Sequence, residues 1–115
     1  MSEANYSPKR GDVILVDFSP TEGHEQSGFR PALVLSPESY NRPAGLALVY
    51  PITSRQKGYP FEVEIPDGYG VSGVILSDCL RNIDWRARCA RYVCNLPEEF
   101  VSEVLDRTNL LLRHD

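Results

Sequence analysis

The sequence has few of the residues that hold metals or disulfides. Its 115 residues include three cysteines and two histidines. The cysteines, at positions 79, 89 and 94, are odd in number and form no CxxC pair, and neither histidine is spaced with them as a zinc ligand would be. We therefore expect no metal site, no cofactor and no disulfide framework, and the reducing cytoplasm suits such a chain best.

Long apolar runs and an excess of positive charge are also missing. No run approaches the roughly 20 apolar residues of a membrane-spanning helix, and residues 1–6 lack the hydrophobic region of a signal peptide. We expect a soluble protein without a membrane partner. The formal net charge of −4 argues against a general nucleic-acid coat protein, because such proteins are usually basic.

The positive charge that is present is concentrated in the sequence. Four arginines lie within eleven residues, namely Arg81, Arg86, Arg88 and Arg91. A smaller basic group contains Arg55 and Lys57, whereas residues 98–106 are acidic. This distribution predicts one basic and one acidic region on the molecule. The alternative is that the arginines form a solvated face with intrachain ion pairs.

The pattern of strand-forming residues predicts the fold. The chain length fits a single domain covering residues 1–115. Five or six short segments, rich in β-branched and aromatic residues and bounded by turn residues, predict strands at 12–18, 31–35, 46–53, 61–65, 71–76 and 90–95. Residues 37–43 could form a helical turn ending at Asn41. This spacing predicts a small, strongly bent sheet or a partly open barrel.

The C-terminal segment predicts a helix. Pro97 suits a first helical turn, and Glu98 and Glu99 complement the positive end of the helix dipole. Apolar residues then recur at three- and four-residue spacing, at Phe100, Val101, Val104, Leu105, Leu111 and Leu112. We expect this stripe to pack on the sheet, which gives a mainly β fold with a terminal α-helix.

The best candidate for a functional loop is the segment 22–31, which gathers two carboxylates, an amide and an arginine between two predicted strands. Gly23 and Gly28 allow the backbone to curl tightly. Arg30 would lie at the mouth of a strand, where its forked guanidinium suits a phosphate or a carboxylate. Glu25 could face it across a bound ligand. The alternative is an ordinary surface loop with an ion pair.

Several blocks of the chain are recognisable together. They are Gly11-Asp12-Val13, Val16-Asp17-Phe18-Ser19-Pro20, Gly23-His24-Glu25-Gln26, residues 30–36, residues 57–63 and Trp85-Arg86-Ala87-Arg88. In order and spacing they resemble the MazF/PemK family of toxin endoribonucleases over nearly the whole chain. The resemblance implies a small SH3-like, partly open barrel of the PemK/CcdB type with a C-terminal helix. It also implies a homodimer, a cognate antitoxin of a type II system, and sequence-selective, metal-independent cleavage of single-stranded RNA such as mRNA.

The resemblance assigns the catalytic roles. RNA can be cut without a metal when its 2′-hydroxyl attacks the adjacent phosphate, which leaves 2′,3′-cyclic phosphate and 5′-hydroxyl ends. Arg30 matches the family's catalytic arginine and would stabilise the charge of the phosphorane. Thr53 matches the catalytic threonine and would donate a hydrogen bond to the phosphate, or it could merely cap a turn. Glu25 would accept the 2′-proton or read a base edge.

Other matching residues imply RNA contacts. Asp78 occupies the place of a family acid that reads the substrate, and Gln26 belongs to the same motif as Glu25. Lys57, Arg81 and Arg86 would bind phosphates or stack on bases. Trp85 and the arginines beside it would lie near surfaces used by the antitoxin, although Trp85 could equally be a core residue.

The chain also departs from its relatives. Phe29 and Leu76 stand where some relatives have a histidine and an arginine, and neither side chain can move a proton. His24 could be a loop histidine or a contributor. Two other functions stay open: a CcdB-like topoisomerase poison, against which the non-aromatic end at residues 111–115 counts, and a barrel that binds RNA without cutting it.

Overall fold

The computed structural model describes residues 5–18 and 28–113. Short strands dominate these residues, because β-branched and other apolar residues are concentrated in the longer ones. The strands are β1 (Asp12–Asp17), β2 (Phe29–Val34), β3 (Ala47–Thr53), β4 (Glu62–Glu64), β5 (Val74–Leu76), β6 (Arg81–Ile83) and β7 (Arg91–Asn95). The helices are α1 (Glu38–Ala44) and α2 (Glu98–Leu112).

The strands form one antiparallel sheet with the order β4-β5-β3-β2-β1-β7. Strand β3 is its centre, because its first half pairs with β6, its second half pairs with β5, and its other edge pairs with β2. The sheet is open rather than closed into a barrel. A mainly β fold with a partly open barrel and a C-terminal helix is therefore confirmed.

Each face of the sheet carries its own core. Side chains alternate between the faces of a strand, so the neighbours Val13 and Ile14 belong to different cores. The first core lies beneath α2 and includes Val13, Leu33, Tyr50, Ile52, Ile75, Val101 and Val104. The second core includes Ile14, Val16, Ala32, Val34, Val49 and Trp85. Arg30 lies two residues from Ala32 in β2 and Thr53 lies four residues from Val49 in β3, so both are on the same face of the sheet as the second core.

Three details differ from the sequence predictions. Strand β6 was not predicted, because it has only three residues and two of them are polar and exposed. Helix α1 continues past Asn41 to Ala44 and ends where Gly45 adopts a positive φ of 72°. In α2 the predicted stripe is wrong at its end, since Leu111 and Leu112 are 57% and 74% exposed.

Candidate functional site

Strand pairing brings Arg30 and Thr53 together. Ala32 of β2 pairs with Pro51 of β3, and two further residues along each antiparallel strand lead to Arg30 and Thr53 on the same face. Both line a groove with a cavity volume of about 510 Å3. The complete lining is Arg30, Pro31, Ile52, Thr53, Ser54, Arg55 and Ser72. Two guanidinium groups and three hydroxyls make this groove suitable for a phosphate.

The Thr53 hydroxyl has a defined environment at the end of β3. It accepts a hydrogen bond of 3.1 Å from the backbone N–H of Arg55, as a turn-capping hydroxyl does. No acceptor among the described residues takes the hydroxyl proton itself, so Thr53 can donate it to a ligand. The neighbouring wall is close, because a Cβ at Gly73 would lie 2.4 Å from the Thr53 carbonyl oxygen. Only glycine fits there, and its φ is 117°.

A second groove begins at Thr53 and has a cavity volume of about 240 Å3. Its lining contains two of the residues that the sequence predicted as RNA contacts, Lys57 and Asp78. The other lining residues are Thr53, Arg55, Tyr59, Phe61, Glu62, Leu76 and Cys79. Arg30, Thr53, Lys57 and Asp78 therefore lie along two adjoining grooves that share Thr53 and Arg55.

The second groove also contains an aromatic pair that the sequence did not single out. The rings of Tyr59 and Phe61 are stacked with centroids 5.3 Å apart, and Tyr59 is 49% exposed. Residues 57–63 are among the blocks that resemble the family, but a role was assigned there to Lys57 alone. An aromatic residue beside a predicted phosphate-binding lysine was the signal that could have revealed the pair.

The two remaining arginines predicted to bind RNA, Arg81 and Arg86, lie outside these two grooves. The guanidinium of Arg81 lies 5.1 Å from the centre of the Phe18 ring, and that of Arg88 lies 6.0 Å from the same ring. Arg88 also donates a 2.8 Å hydrogen bond to the carbonyl oxygen of Asp17. Arg81 lines neither of the grooves at Thr53.

Arg86 lines a separate groove with a cavity volume of about 500 Å3, together with Arg42 and Arg91. Its guanidinium lies 4.6 Å from the centre of the Trp85 ring and donates to the Arg42 carbonyl oxygen. Trp85 is only 5% exposed and donates from Nε1 to the carbonyl oxygen of Asn41. Trp85 is thus a core residue that supports this Arg86 groove from below.

Three predicted candidates, His24, Glu25 and Gln26, lie outside the described residues. Phe29, which precedes Arg30, is 41% exposed and carries the Arg91 guanidinium 4.9 Å from its ring centre. Phe29 therefore offers an apolar surface, and a proton cannot pass through it.

The thiol in the second groove is held in its protonated form. Burial raises the pKa of Cys79, and the neighbouring Asp78 carboxylate raises this pKa further through a 3.5 Å hydrogen bond and its negative charge. A raised pKa keeps the thiol protonated at neutral pH. Residues 5–18 and 28–113 contain no group of three or more His, Cys, Asp or Glu that could hold a metal ion. Their helices are too short or too polar to cross a membrane.

The chain is similar to known proteins over nearly its whole length. Residues 9–112 match the family described as the PemK-like, MazF-like toxin of type II toxin–antitoxin systems. The endoribonuclease toxin MazF of Escherichia coli K12 is 44% identical over 109 residues, which cover 95% of this chain and 97% of MazF. Endoribonuclease PemK of Escherichia coli is 38% identical over 111 residues, which cover 90% of this chain and 81% of PemK.

Solved structures are also similar. A MazE–MazF crystal structure from Deinococcus radiodurans superposes with a TM-score of 0.91 at 47% identity, covering 96% of this chain and all of that one. An endoribonuclease from a mycobacterial species has a TM-score of 0.75 at 16% identity, which shows the shared fold alone. The resemblance read from the sequence is confirmed, and the chain belongs to the PemK-like, MazF-like family of type II toxins.

Proposed function

We propose that this protein is a metal-independent, sequence-selective endoribonuclease toxin that cleaves single-stranded RNA, with Arg30 and Thr53 at the reacting phosphate. The observation that carries the proposal is the common groove of these two residues, which are distant in sequence and meet through strand pairing. The relatives named endoribonucleases, at 38 and 44% identity, support the same activity.

The proposed reaction is a transfer within the RNA chain. The 2′-oxygen forms a bond to phosphorus, the bond from phosphorus to the 5′-oxygen breaks, and the products carry a 2′,3′-cyclic phosphate and a 5′-hydroxyl. Arg30 balances the negative charge that develops on the non-bridging oxygens. The Thr53 hydroxyl donates a hydrogen bond to one of these oxygens while it accepts a hydrogen bond from the Arg55 N–H. Glu25 remains our candidate for the acceptor of the 2′-proton. Arg30 is our candidate for the donor of the proton that the leaving 5′-oxygen takes up to become the 5′-hydroxyl.

The second groove suits the unpaired part of the substrate. Tyr59 offers a ring on which a base can stack. Lys57 offers a phosphate contact, and the Asp78 carboxylate can accept hydrogen bonds from a base edge. Gln26 would add a second base contact, and Arg81 and Arg86 would bind phosphates farther along the chain. A double helix could not splay its bases into such a groove, which favours single-stranded RNA.

We also propose the partners that the family relationship implies, a homodimer and a cognate antitoxin. The exposed leucines at the end of α2, Leu110, Leu111 and Leu112, form an apolar surface that suits an interface. The Arg86 groove suits an acidic antitoxin tail, whose carboxylates would imitate RNA phosphates at Arg42, Arg86 and Arg91. A cytoplasmic location is part of the proposal, since a reducing compartment suits the free thiols of Cys79, Cys89 and Cys94.

The direct test is to incubate the purified protein with unstructured RNA and to map the new 5′-ends. We expect cleavage at one recurring sequence in the presence of excess chelator. RNA that is bound but left intact would instead show a non-cleaving RNA-binding barrel.

A further inference from the structure

Residues 54–60, which make up all but the last residue of the loop between β3 and β4, carry Lys57 and Tyr59 into the second groove. Every one of these residues is exposed, so little apolar burial opposes their motion. Ordering such a loop when RNA arrives would cost conformational entropy and weaken binding. A contact that fixes the loop beforehand would therefore favour binding.

The Glu62 carboxylate makes that contact from the first position of β4. The backbone N–H of Lys57 donates to both carboxylate oxygens at 3.1 Å, and the N–H of Gly58 donates to Oε1 at 2.9 Å. Two successive N–H groups can converge on one anion because Gly58 has a positive φ of 84°. Hydrogen bonds to an ionised acceptor are stronger than those between neutral groups.

The far end of the loop is tied down as well. The Glu62 N–H donates to the Tyr59 carbonyl oxygen at 3.1 Å, and the Arg107 guanidinium donates to the Pro60 carbonyl oxygen. The ring of Tyr59 stacks on Phe61. The tip of the loop at Lys57 and Gly58, however, is held by the Glu62 side chain.

From this geometry we infer that Glu62 is a positioning residue for RNA binding, which holds the loop so that Lys57 and Tyr59 face the second groove before the substrate arrives. The inference rests on the proposed function, because it assigns these residues to RNA. Glu62 itself lines the groove but acts through the loop backbone, so it should affect substrate affinity much more than the rate of the bound complex.

Simple electrostatics predicts the opposite effect, which makes the inference testable. A carboxylate in a groove that binds phosphates should repel RNA, so its neutralisation alone should tighten binding. Glu64 supplies a matched control two residues along the same strand. It is exposed, and its carboxylate makes no hydrogen bond or ion pair with residues in the described ranges.

The experiment compares Glu62→Gln, Glu62→Ala and Glu64→Gln for affinity toward an RNA that carries a 2′-deoxy sugar at the scissile position. We expect Glu62→Gln to weaken binding several-fold and Glu62→Ala by about tenfold, because charge-assisted hydrogen bonds to the loop are lost. Glu64→Gln should leave affinity unchanged or tighter. With cleavable RNA, KM should rise in the Glu62 variants while kcat stays within about twofold.

Amide hydrogen exchange separates this inference from the proposed function. Faster exchange at Lys57 and Gly58 in Glu62→Gln, with an unchanged thermal midpoint, would show the loop contact even in a protein that cut no RNA. If the wild-type protein bound no RNA, the assignment of Glu62 to RNA binding would be overturned. Equal or tighter RNA binding by Glu62→Gln would also overturn it. A large fall in thermal midpoint for both Glu62 variants would assign Glu62 to stability instead.

Discussion

Single residues at this site take their roles from the strand ends on which they stand. Arg30 lies near the start of β2 and Thr53 is the last residue of β3, so antiparallel pairing places them side by side. The sequence could predict both from the family motif and could not show their common groove. Tyr59 was missed because an aromatic residue in a turn carries no periodic signal.

Replacing Arg30 by alanine tests the charge-stabilising role. We expect the cleavage rate to fall by ~10²-fold or more, the usual size for loss of one transition-state donor. The thermal midpoint should change little, because Arg30 is exposed. Arg10→Ala, another exposed arginine, is the control and should cleave normally. Near-normal activity in folded Arg30→Ala would make Arg30 an ordinary exposed residue of β2.

Thr53 is tested by a pair of substitutions that differ in the hydroxyl. Thr53→Val keeps the shape and removes the donor, and we expect about a tenfold lower kcat/KM, since one hydrogen bond to a charged group is lost. Thr53→Ser keeps the hydroxyl and should retain most of the activity. Cleavage kinetics for both variants make the comparison, and equal loss in the two would point to packing rather than hydrogen bonding.

The elements around the second groove are tied together by the C-terminal helix. Arg107 of α2 binds the Pro60 carbonyl oxygen, and the Thr108 hydroxyl donates to the Ser77 carbonyl oxygen at 2.8 Å. Ser77 in turn donates from Oγ to the Phe61 carbonyl oxygen. Helix α2 therefore supports both walls of the groove, a role that its apolar periodicity alone could not predict.

Thr108→Val should destabilise the fold through this network. The Thr108 hydroxyl is buried and also lies 2.6 Å from the Tyr50 hydroxyl. Valine would leave buried polar groups of Tyr50 and Ser77 unpaired, which costs about 1–3 kcal/mol of unfolding free energy. Urea denaturation measures the loss, and Ser102→Ala on the exposed side of α2 is the control. An unchanged free energy of unfolding would exclude the network as a stabilising feature.

The segment before β1 should confer sensitivity to alkaline pH. The Tyr6 hydroxyl donates to the Asp12 carboxylate at 2.6 Å, and burial together with that carboxylate raises the pKa of Tyr6 above its ordinary value. The unfolded chain loses this proton near pH ~10 and the folded chain keeps it. The stability that Tyr6 contributes is therefore complete below about pH 10 and is lost as the pH rises further.

Tyr6→Phe should lower the free energy of unfolding at neutral pH by about 1–3 kcal/mol through loss of the hydrogen bond. Its stability should then fall less steeply than that of the wild type above about pH 10. Denaturant titrations across the alkaline range measure both effects. Parallel pH profiles for the two proteins would contradict the assignment to Tyr6.

For the whole molecule, the spacing of short strand-forming segments predicted a bent sheet or partly open barrel, and the three- and four-residue spacing of apolar residues predicted the C-terminal helix. The antiparallel pairing and the strand order came from the structure. Strand β6 escaped prediction because Arg81 and Asn82 are exposed and only Ile83 is buried. The arginines that are close in sequence lie at two separate surfaces of the structure. Arg81 and Arg88 lie beside the Phe18 ring, and Arg86 lines a different groove. Sequence proximity could not show this division.

The net charge of −4 makes these local basic surfaces important for RNA binding. An acidic protein repels RNA at long range, so association depends on the grooves and their arginines. We expect affinity for RNA to fall as salt rises, since phosphate contacts release counterions. Filter binding of the 2′-deoxy RNA at several salt concentrations measures the slope, and salt-independent binding would contradict phosphate recognition.

Cleavage of two RNAs in excess chelator distinguishes attack by the 2′-hydroxyl from metal-dependent hydrolysis. One RNA has ribose throughout, and the other has a single 2′-deoxy sugar at the mapped cleavage position. We expect the all-ribose RNA to be cut to 2′,3′-cyclic phosphate and 5′-hydroxyl ends. We expect the RNA with the 2′-deoxy sugar to resist cleavage at that position. Normal cleavage of the 2′-deoxy RNA, or loss of all activity in chelator, would contradict this mechanism.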